Sequence, residues 1–519
     1  MQKGGTRVFY RKVKKLFKLL YMGLLAPAAV HLRIDWPEAY YFVWSRLLKR
    51  HKKICLRFNE RLIQKTRKIE NVVIDCIERY MARAPDLTQI PVWIWASSIL
   101  FTMSYSKESF EKAIGVLRNL ERIRRELLRN HQLDDLGFEF IPGSLAIGSI
   151  GVWENLEVYI KMGILGLKTP KKLVLLLDPE SRINNPCYLK YWRRYMTVIS
   201  DPLLIQAFSP LEKCMTVPIN YYMSFQGRVM LSPEALGFVR KQWNEEKRPP
   251  LLKLSDDDFE QGWKCLNSSG VPNHAWFVCL HVRESGWNDN DYVANYRNAD
   301  IKTYVPAIKA ITDAGGWVIR MGDPSTTPLP EMDHAIDYAH SDMKSDLMDI
   351  FLCSQCRFII GTSSGVYTIS IVFGVPAVLT NYLPGNGMYQ LSAQDIFIPR
   401  LCLSKDDNHY LSFRELMCPP VSMAPEQHIY DRFNLKVIEN TPEEIRDIVM
   451  EMLTRMSGTI QYSEGDEYLQ GQFRSLSARC GKLYGDDGIV VNARVGRDFL
   501  RKYAGLLPAG VMEECSNKK

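Results

Sequence analysis

From Trp36 to about Asn130 apolar residues recur at helical spacing, with few glycines and long Lys/Arg/Glu-rich faces between them. The clearest stripe is Phe110, Ile114, Leu117, Leu120, Ile123 and Leu127, at steps of three and four, which predicts one buried helix face with Ser106 as its N-cap. Pro85 and Pro91 divide the region into antiparallel helices in the manner of tetratricopeptide hairpins, without a clean repeat period. The pattern changes near Leu136. Phe138-Glu139-Phe140-Ile141-Pro142 and Ser144-Leu145-Ala146-Ile147 read as short strands leading into Gly148-Ser149-Ile150-Gly151. An amphipathic run from Glu154 to Leu165 and the apolar run Lys172 to Asp178 follow, the start of a βαβ layout.

A charged, proline-containing stretch from Glu245 to Asp258 precedes a second series. Strands are expected at Trp276–Val282, Trp317–Met321, Phe358–Ile360 and Ala377–Thr380, alternating with helices at Ile301–Ala314, Ser345–Ser354 and Val366–Phe373. The expected fold class is therefore α/β, two Rossmann-like domains facing across a cleft and preceded by an α-helical region. The expected divisions are 1–35, a basic amphipathic segment; 36–135, helical; 136–270, the first Rossmann-like domain; 271–460, the second; and 461–519, a tail packing back. Ligands belong at the carboxyl ends of such strands.

Length agrees, since 519 residues exceed one hydrophobic core. Charge sharpens the picture. Residues 1–70 hold 18 of the Lys/Arg against 4 Asp/Glu, a local balance of +14 within a total of +8, so the rest of the chain is slightly acidic. A basic end on an acidic body argues against nucleic acid and for a tether to an anionic membrane surface through residues 1–30. Arg11 to Leu25 interleaves cations with apolar residues and is too short to span a bilayer. It reads as an interfacial helix, with a signal peptide or a core-packed helix as alternatives. The twelve cysteines are scattered, several in apolar runs, as buried thiols of a cytosolic protein are, and Cys353-Ser354-Gln355-Cys356 reads as part of a buried helix. The expected place is the cytoplasm, at the inner face of the membrane.

Candidate chemistry gathers at strand ends between His281 and Asn381. His281 and Arg283 flank Val282 and project to one side, a guanidinium for a pyrophosphate beside a donor or acid/base group. Gly361-Thr362-Ser363-Ser364-Gly365 stands between a strand and a helix, where amide and hydroxyl donors can hold an anion or simply form a capped turn. Ile319-Arg320-Met321-Gly322-Asp323 closes another strand; Arg320 faces either phosphate or a carboxylate, and Asp323 a base or ribose. Tyr296, Arg297 and Asn298 precede a helix, with Asn298 or Asp300 as its cap and Tyr296 and Arg297 free for ligand. None of these clusters carries a metal-ligand set, so no metal and no cofactor beyond a nucleotide substrate is expected.

With His281-Val282-Arg283-Glu284, Tyr296 to Asp300, Gly316 to Asp323, Lys344-Ser345-Asp346 and Gly361 to Gly365, the chain resembles a family of bacterial glycosyltransferases associated with surface polysaccharides. Residues 274–400 carry the resemblance, and Gly148 to Gly151 with Tyr159 to Gly163 add to it. His281-x-Arg283 is also distantly similar to the His-x-Arg motif of fucosyltransferases with the GT-B fold, although Glu284 stands where that motif has a second arginine. The resemblance implies a GT-B-like enzyme that moves a sugar from a nucleotide-sugar donor to a glycan, lipid-linked or protein acceptor, without metal and with inversion. Arg283 and residues 361–365 would hold the diphosphate, and Gly148, Ser149 and Gly151 would border the acceptor. His281, Glu284 and Asp289 would be the acid/base candidates, and the helical region would dock a protein partner. A sugar-nucleotide epimerase and a non-catalytic scaffold are the competing readings.

Overall fold

The computed structural model describes residues 107–285, 295–383, 385–418, 421–423, 427–482 and 489–508, with six isolated positions between 74 and 97. The basic segment 1–35, Ser106, the two prolines of the helical region, and Asp289 lie outside the described residues.

The helix Lys107–Asn130 buries Phe110, Ile114, Leu117, Leu120 and Ile123, while Leu127 is half-buried. Next comes a parallel three-stranded sheet ordered β1-β2-β3: β1 is Phe138–Phe140, β2 Lys172–Leu176 and β3 Met196–Ile199. Ser144–Ile147, expected as a strand, is one turn of helix closed by the Gly148 amide on the Ser144 carbonyl at 2.8 Å. Four residues are too few for a period to declare itself, and Leu145 and Ala146 are both buried, which alternation forbids. A hairpin follows, β4 Tyr222–Phe225 and β5 Arg228–Leu231, turned by Gln226 and Gly227 at φ 47° and 78°.

The second sheet is parallel and seven-stranded. Its strands are β6 Phe277–His281, β7 Trp317–Met321, β8 Ala335–Ile336, β9 Ile359–Gly361, β10 Ala377–Tyr382, β11 Ile396–Pro399 and β14 Arg494–Val495, with β12 Leu401–Ser404 and β13 Leu435–Ile438 forming a separate antiparallel pair. Every residue of β6 and β10 is buried, as continuous apolar runs in a doubly covered sheet require. The order β14-β11-β10-β9-β6-β7-β8 means the chain leaves β6 toward β7 and β8, then returns to lay β9, β10 and β11 on the other side. The reversal falls between β6 and β9, where His281 and Gly361 are register partners.

The two sheets are joined by the helix Ser232–Glu245. Gly237 lies so close to residues 389–390 that a Cβ there would fall 1.8 Å from the Tyr389 carbonyl oxygen. Arg240 of the same helix is buried, donating to Glu154 (3.1 Å), Glu157 (3.0 Å) and the Gln390 carbonyl (2.9 Å). Nearly two turns earlier, Glu234 is fully buried, and neither carboxyl oxygen bonds another residue. Burial pushes its pKa up from 4.5 to about 8. Between those values the folded chain holds a proton that the unfolded chain releases, so stability falls as pH rises through this window. Glu234→Gln, neutral at every pH, is expected to gain about 1–3 kcal/mol at pH 7 and to flatten that slope. Urea titrations at pH 5 and pH 8 check this, and an unchanged pH dependence would refute it.

Candidate functional site

The strand reversal places the ends of β6 and β9 side by side and brings their loops together. His281 is the last residue of β6, and its Nδ1 lies 2.9 Å from the Ser364 hydroxyl. Burial, aided by the cations Arg320, Arg283 and Lys344 and opposed by Asp323, lowers its pKa to about 4. The imidazole is therefore neutral at neutral pH, suited to hydrogen bonding and weak as a base. Two residues on, the Arg283 amide donates to Thr362 Oγ1 at 3.0 Å, and the half-buried guanidinium bonds Asn298 Oδ1.

The hydroxyls of the 361–365 loop serve it structurally. Thr362 is fully buried and ties the end of β9 to Arg283, two residues past β6, while Ser363 Oγ accepts from the Leu383 amide at 2.9 Å beyond β10. Gly361 lies against Tyr367 and Leu379, at 3.1 and 3.2 Å from where a Cβ would stand. Arg297 was expected to be free for ligand; instead its Nε and Nη2 both donate to the Ser363 carbonyl, the first at 2.7 Å. Tyr296 is buried against the Tyr430 ring, centroids 5.2 Å apart, with its hydroxyl pushed up to about 12 by burial. Asp300 caps the 3-10 turn Ile301–Tyr304 by accepting from the Lys302 amide at 2.9 Å.

Of the two alternatives for Arg320 the structure shows the carboxylate: it is fully buried in β7, donating to Asp337 at 3.2 Å, Glu284 at 3.0 Å and the Thr327 carbonyl at 2.9 Å. Glu284 accordingly holds Arg320 and the Thr327 amide (2.9 Å) rather than standing ready for proton transfer. Asp323, beyond Gly322, closes its own turn by accepting from the Ser325 amide at 2.9 Å. The alternation of β6 and β7 leaves a carboxylate as one partner for Arg320 but does not single out Glu284 or Asp337, which lie in loops.

From the opposite side comes the Gly148–Gly151 loop. Ser149 Oγ accepts from the Gly151 amide at 3.4 Å, and Asn184 Nδ2 donates to the Gly148 carbonyl at 3.1 Å. Gly151 and Gly365 touch backbone to backbone, so a Cβ on Gly365 would lie 2.7 Å from the Gly151 nitrogen. The two halves thus meet at the start of the helix Val366–Val372, next to His281 and Arg283.

Arg400 and Lys344 were not among the expected site residues. Arg400, just past β11, is buried and donates to the carbonyls of Tyr296 (2.8 Å) and Asn298, propping the segment that holds Arg283. Arg400, two residues after the apolar run Ile396–Ile398, carries the same signal as Arg283 but lies past the span from His281 to Asn381. Lys344 precedes the helix Asp346–Gln355, close enough to lower the His281 pKa, and pairs with Asp349 at 3.4 Å. Beyond Arg283 opens a cavity of about 570 Å³ walled by Glu284, Tyr296, Asn298, Asp300, Arg400 and Asp431. Its size suits a small-molecule ligand. Among the described residues no helix is long and apolar enough to cross a membrane.

No family model matches the chain, and no curated protein does. Among solved structures it is loosely similar to a glycosyl transferase family 9 protein from Veillonella parvula DSM 2008, at 9% identity over 50% of this chain and 85% of that one, with a TM-score of 0.33. The E. coli ADP-heptose lps heptosyltransferase II matches at 11% identity over 58% of this chain and 98% of that one, TM-score 0.33. The iron-containing dodecameric glycosyltransferase TibC from enterotoxigenic E. coli H10407 matches at 13% identity over 48% and 59%, TM-score 0.28. The similarity to fucosyltransferases read from His281 and Arg283 finds no support in these three.

Proposed function

We propose that the chain is a glycosyltransferase that takes a nucleotide-sugar and transfers its sugar to an acceptor hydroxyl in surface polysaccharide or glycoconjugate synthesis. The observation that carries the reading is the strand reversal between β6 and β9 with Arg283 at its carboxyl edge and a cavity beside it. In open parallel sheets such a crevice is where nucleotides bind. Arg283, oriented by Asn298 and by the Thr362 bond to its amide, neutralises the donor diphosphate, with Lys344 as a second cation. The acceptor enters from the Gly148–Gly151 side. Its oxygen bonds to the anomeric carbon, the bond from that carbon to the diphosphate oxygen breaks with its electron pair, and the hydroxyl proton passes to a base. Neutral His281 positions a hydroxyl or phosphate oxygen, and Asp289 is the remaining candidate base. The transfer is metal-independent in this reading.

Thermal-shift screening with UDP, GDP, ADP, CMP and dTDP identifies the nucleotide, and calorimetry then compares Arg283→Ala with the wild type. Loss of a charge-assisted bond is expected to weaken binding 10- to 100-fold, about 1.5–3 kcal/mol. Unchanged affinity sinks the site, and release of the sugar without any acceptor would favour an epimerase or hydrolase instead. Transfer abolished by EDTA and restored by Mg²⁺ would remove the metal-independent part. A tether through residues 1–30 to anionic membrane belongs to the same proposal and rests on their charge. Deleting them is expected to abolish co-sedimentation with phosphatidylglycerol vesicles, and undiminished co-sedimentation would remove the tether.

A further inference from the structure

A second cavity, also about 570 Å³, lies at the amino ends of β1 and β2, the opposite ends of these strands from the Gly148–Gly151 loop. One wall is the stripe Glu121, Arg124, Arg125, Leu128 and Arg129 of the helix Lys107–Asn130. A second is the hairpin β4–β5 and its Gln226-Gly227 turn, and a third the loop Gly166–Lys171.

Its charges do not balance. Arg124, Arg125, Arg129, Lys168 and Lys171 face only Glu121, Asp134 and Glu139. Glu121 is shared by Arg124 (3.3 Å) and Arg125 (2.9 Å) and also accepts from the Tyr222 hydroxyl at 2.5 Å. Glu139 is shared by Lys168 and the Tyr159 hydroxyl, both at 2.7 Å, and Lys168 lies 4.0 Å over the Tyr159 ring. Lys171 pairs with Asp134 at 2.6 Å, and Arg129 has no acidic partner among the described residues. Burial lowers the Lys168 pKa, opposed by the Glu139 carboxylate that it bonds. A packed structural salt network would close over its charges. This one leaves a space lined by an excess of cations and by the apolar faces of Phe138, Met223 and Phe225.

We propose that this cavity is a second ligand site, separate from the Arg283 crevice, that binds a small phosphorylated molecule. The arginine forks and Lys171 hold the phosphate at the mouth, and the body of the ligand lies against the apolar and tyrosine walls. The inference stands on the cavity alone and does not depend on what the Arg283 crevice binds.

Calorimetric titration of the full chain with glucose 6-phosphate, glycerol 3-phosphate and inorganic phosphate, with glucose as the uncharged control, tests it. At least one phosphate is expected to bind, glucose is not, and Arg129→Ala/Lys171→Ala is expected to lower the affinity at least tenfold. Arg129 is exposed, and Lys171 is tied, among the described residues, only to Asp134; Arg125→Gln gives an independent second reading. Preference for glucose 6-phosphate assigns a sugar phosphate, and preference for glycerol 3-phosphate a lipid headgroup. Binding must survive Arg283→Ala, because a phosphate lost with Arg283 sits in the other crevice and overturns this proposal. Absence of binding by every phosphate, or equal binding by wild type and both cavity variants, overturns it as well.

Discussion

Arg320→Ala is expected to cost about 3–5 kcal/mol of folding stability, the range for breaking a buried ion pair by removing one partner. The guanidinium is fully buried, and its two carboxylates are only slightly exposed, at 13% for Glu284 and 18% for Asp337. Asp337 also accepts from the Leu329 amide at 2.8 Å, and Glu284 from the Thr327 amide, so neither can swing out to water without freeing a loop. Alanine would leave two negative charges facing each other over a void. The cost is expected to come mainly from those orphaned charges rather than from a large net gain by the triad. Arg320→Met with Glu284→Gln and Asp337→Asn is therefore expected to recover most of the loss. A second readout separates this from simple cavity formation: Arg320 is the second largest cause, after burial, of the lowered His281 pKa, so its removal should raise that pKa from about 4. Urea titration and an NMR titration of His281 check the two effects. A loss below about 1 kcal/mol would show that the carboxylates find other partners.

The buried arginine also shows where sequence reasoning stops. Strands β6, β7, β9 and β10 were legible to within a residue or two, because a parallel strand covered on both faces is a continuous apolar run with polar residues at its end. For the same reason the positions of His281, Arg283 and the 361–365 loop at one edge could be read from the order of runs and loops. Partnership could not. Glu284 meets Arg320 across 36 residues, and Arg297 meets Ser363 across 66, distances over which alternation carries no information. Arginines at the ends of β6 and β7 look alike in sequence; one is half-buried at the crevice and the other is sealed between two acids. The Ser144–Ile147 turn was misread for a local reason, its brevity, and the β4–β5 hairpin passed unseen because Gln226-Gly227 is a weaker turn signal than Asn-Gly.

Gly365→Ala is expected to lower transfer efficiency, kcat/KM, about 100-fold and to cost about 1–3 kcal/mol of stability. Gly365 sits at φ −79° and ψ −20°, a conformation alanine adopts without strain, so the backbone itself raises no objection. Space does. The new methyl would stand 2.7 Å from the Gly151 nitrogen and 3.1 Å from its Cα, both backbone atoms that cannot rotate aside. The loops must part, and they carry the two sides of the proposed crevice, the acceptor edge at Gly148–Gly151 and the donor edge at Gly361–Gly365. Reduced freedom of the unfolded chain offsets only part of the strain. The donor is held from the Arg283 side, so its affinity should change less than threefold, placing the loss in kcat. Gly151→Ala should behave alike, since its methyl would meet Gly365 Cα at 2.9 Å. Gly115→Ala, with nothing within 4 Å of the added methyl in the helix Lys107–Asn130, is the control that should be active and slightly more stable. Wild-type transfer by Gly365→Ala would mean that this junction does not set the distance between donor and acceptor.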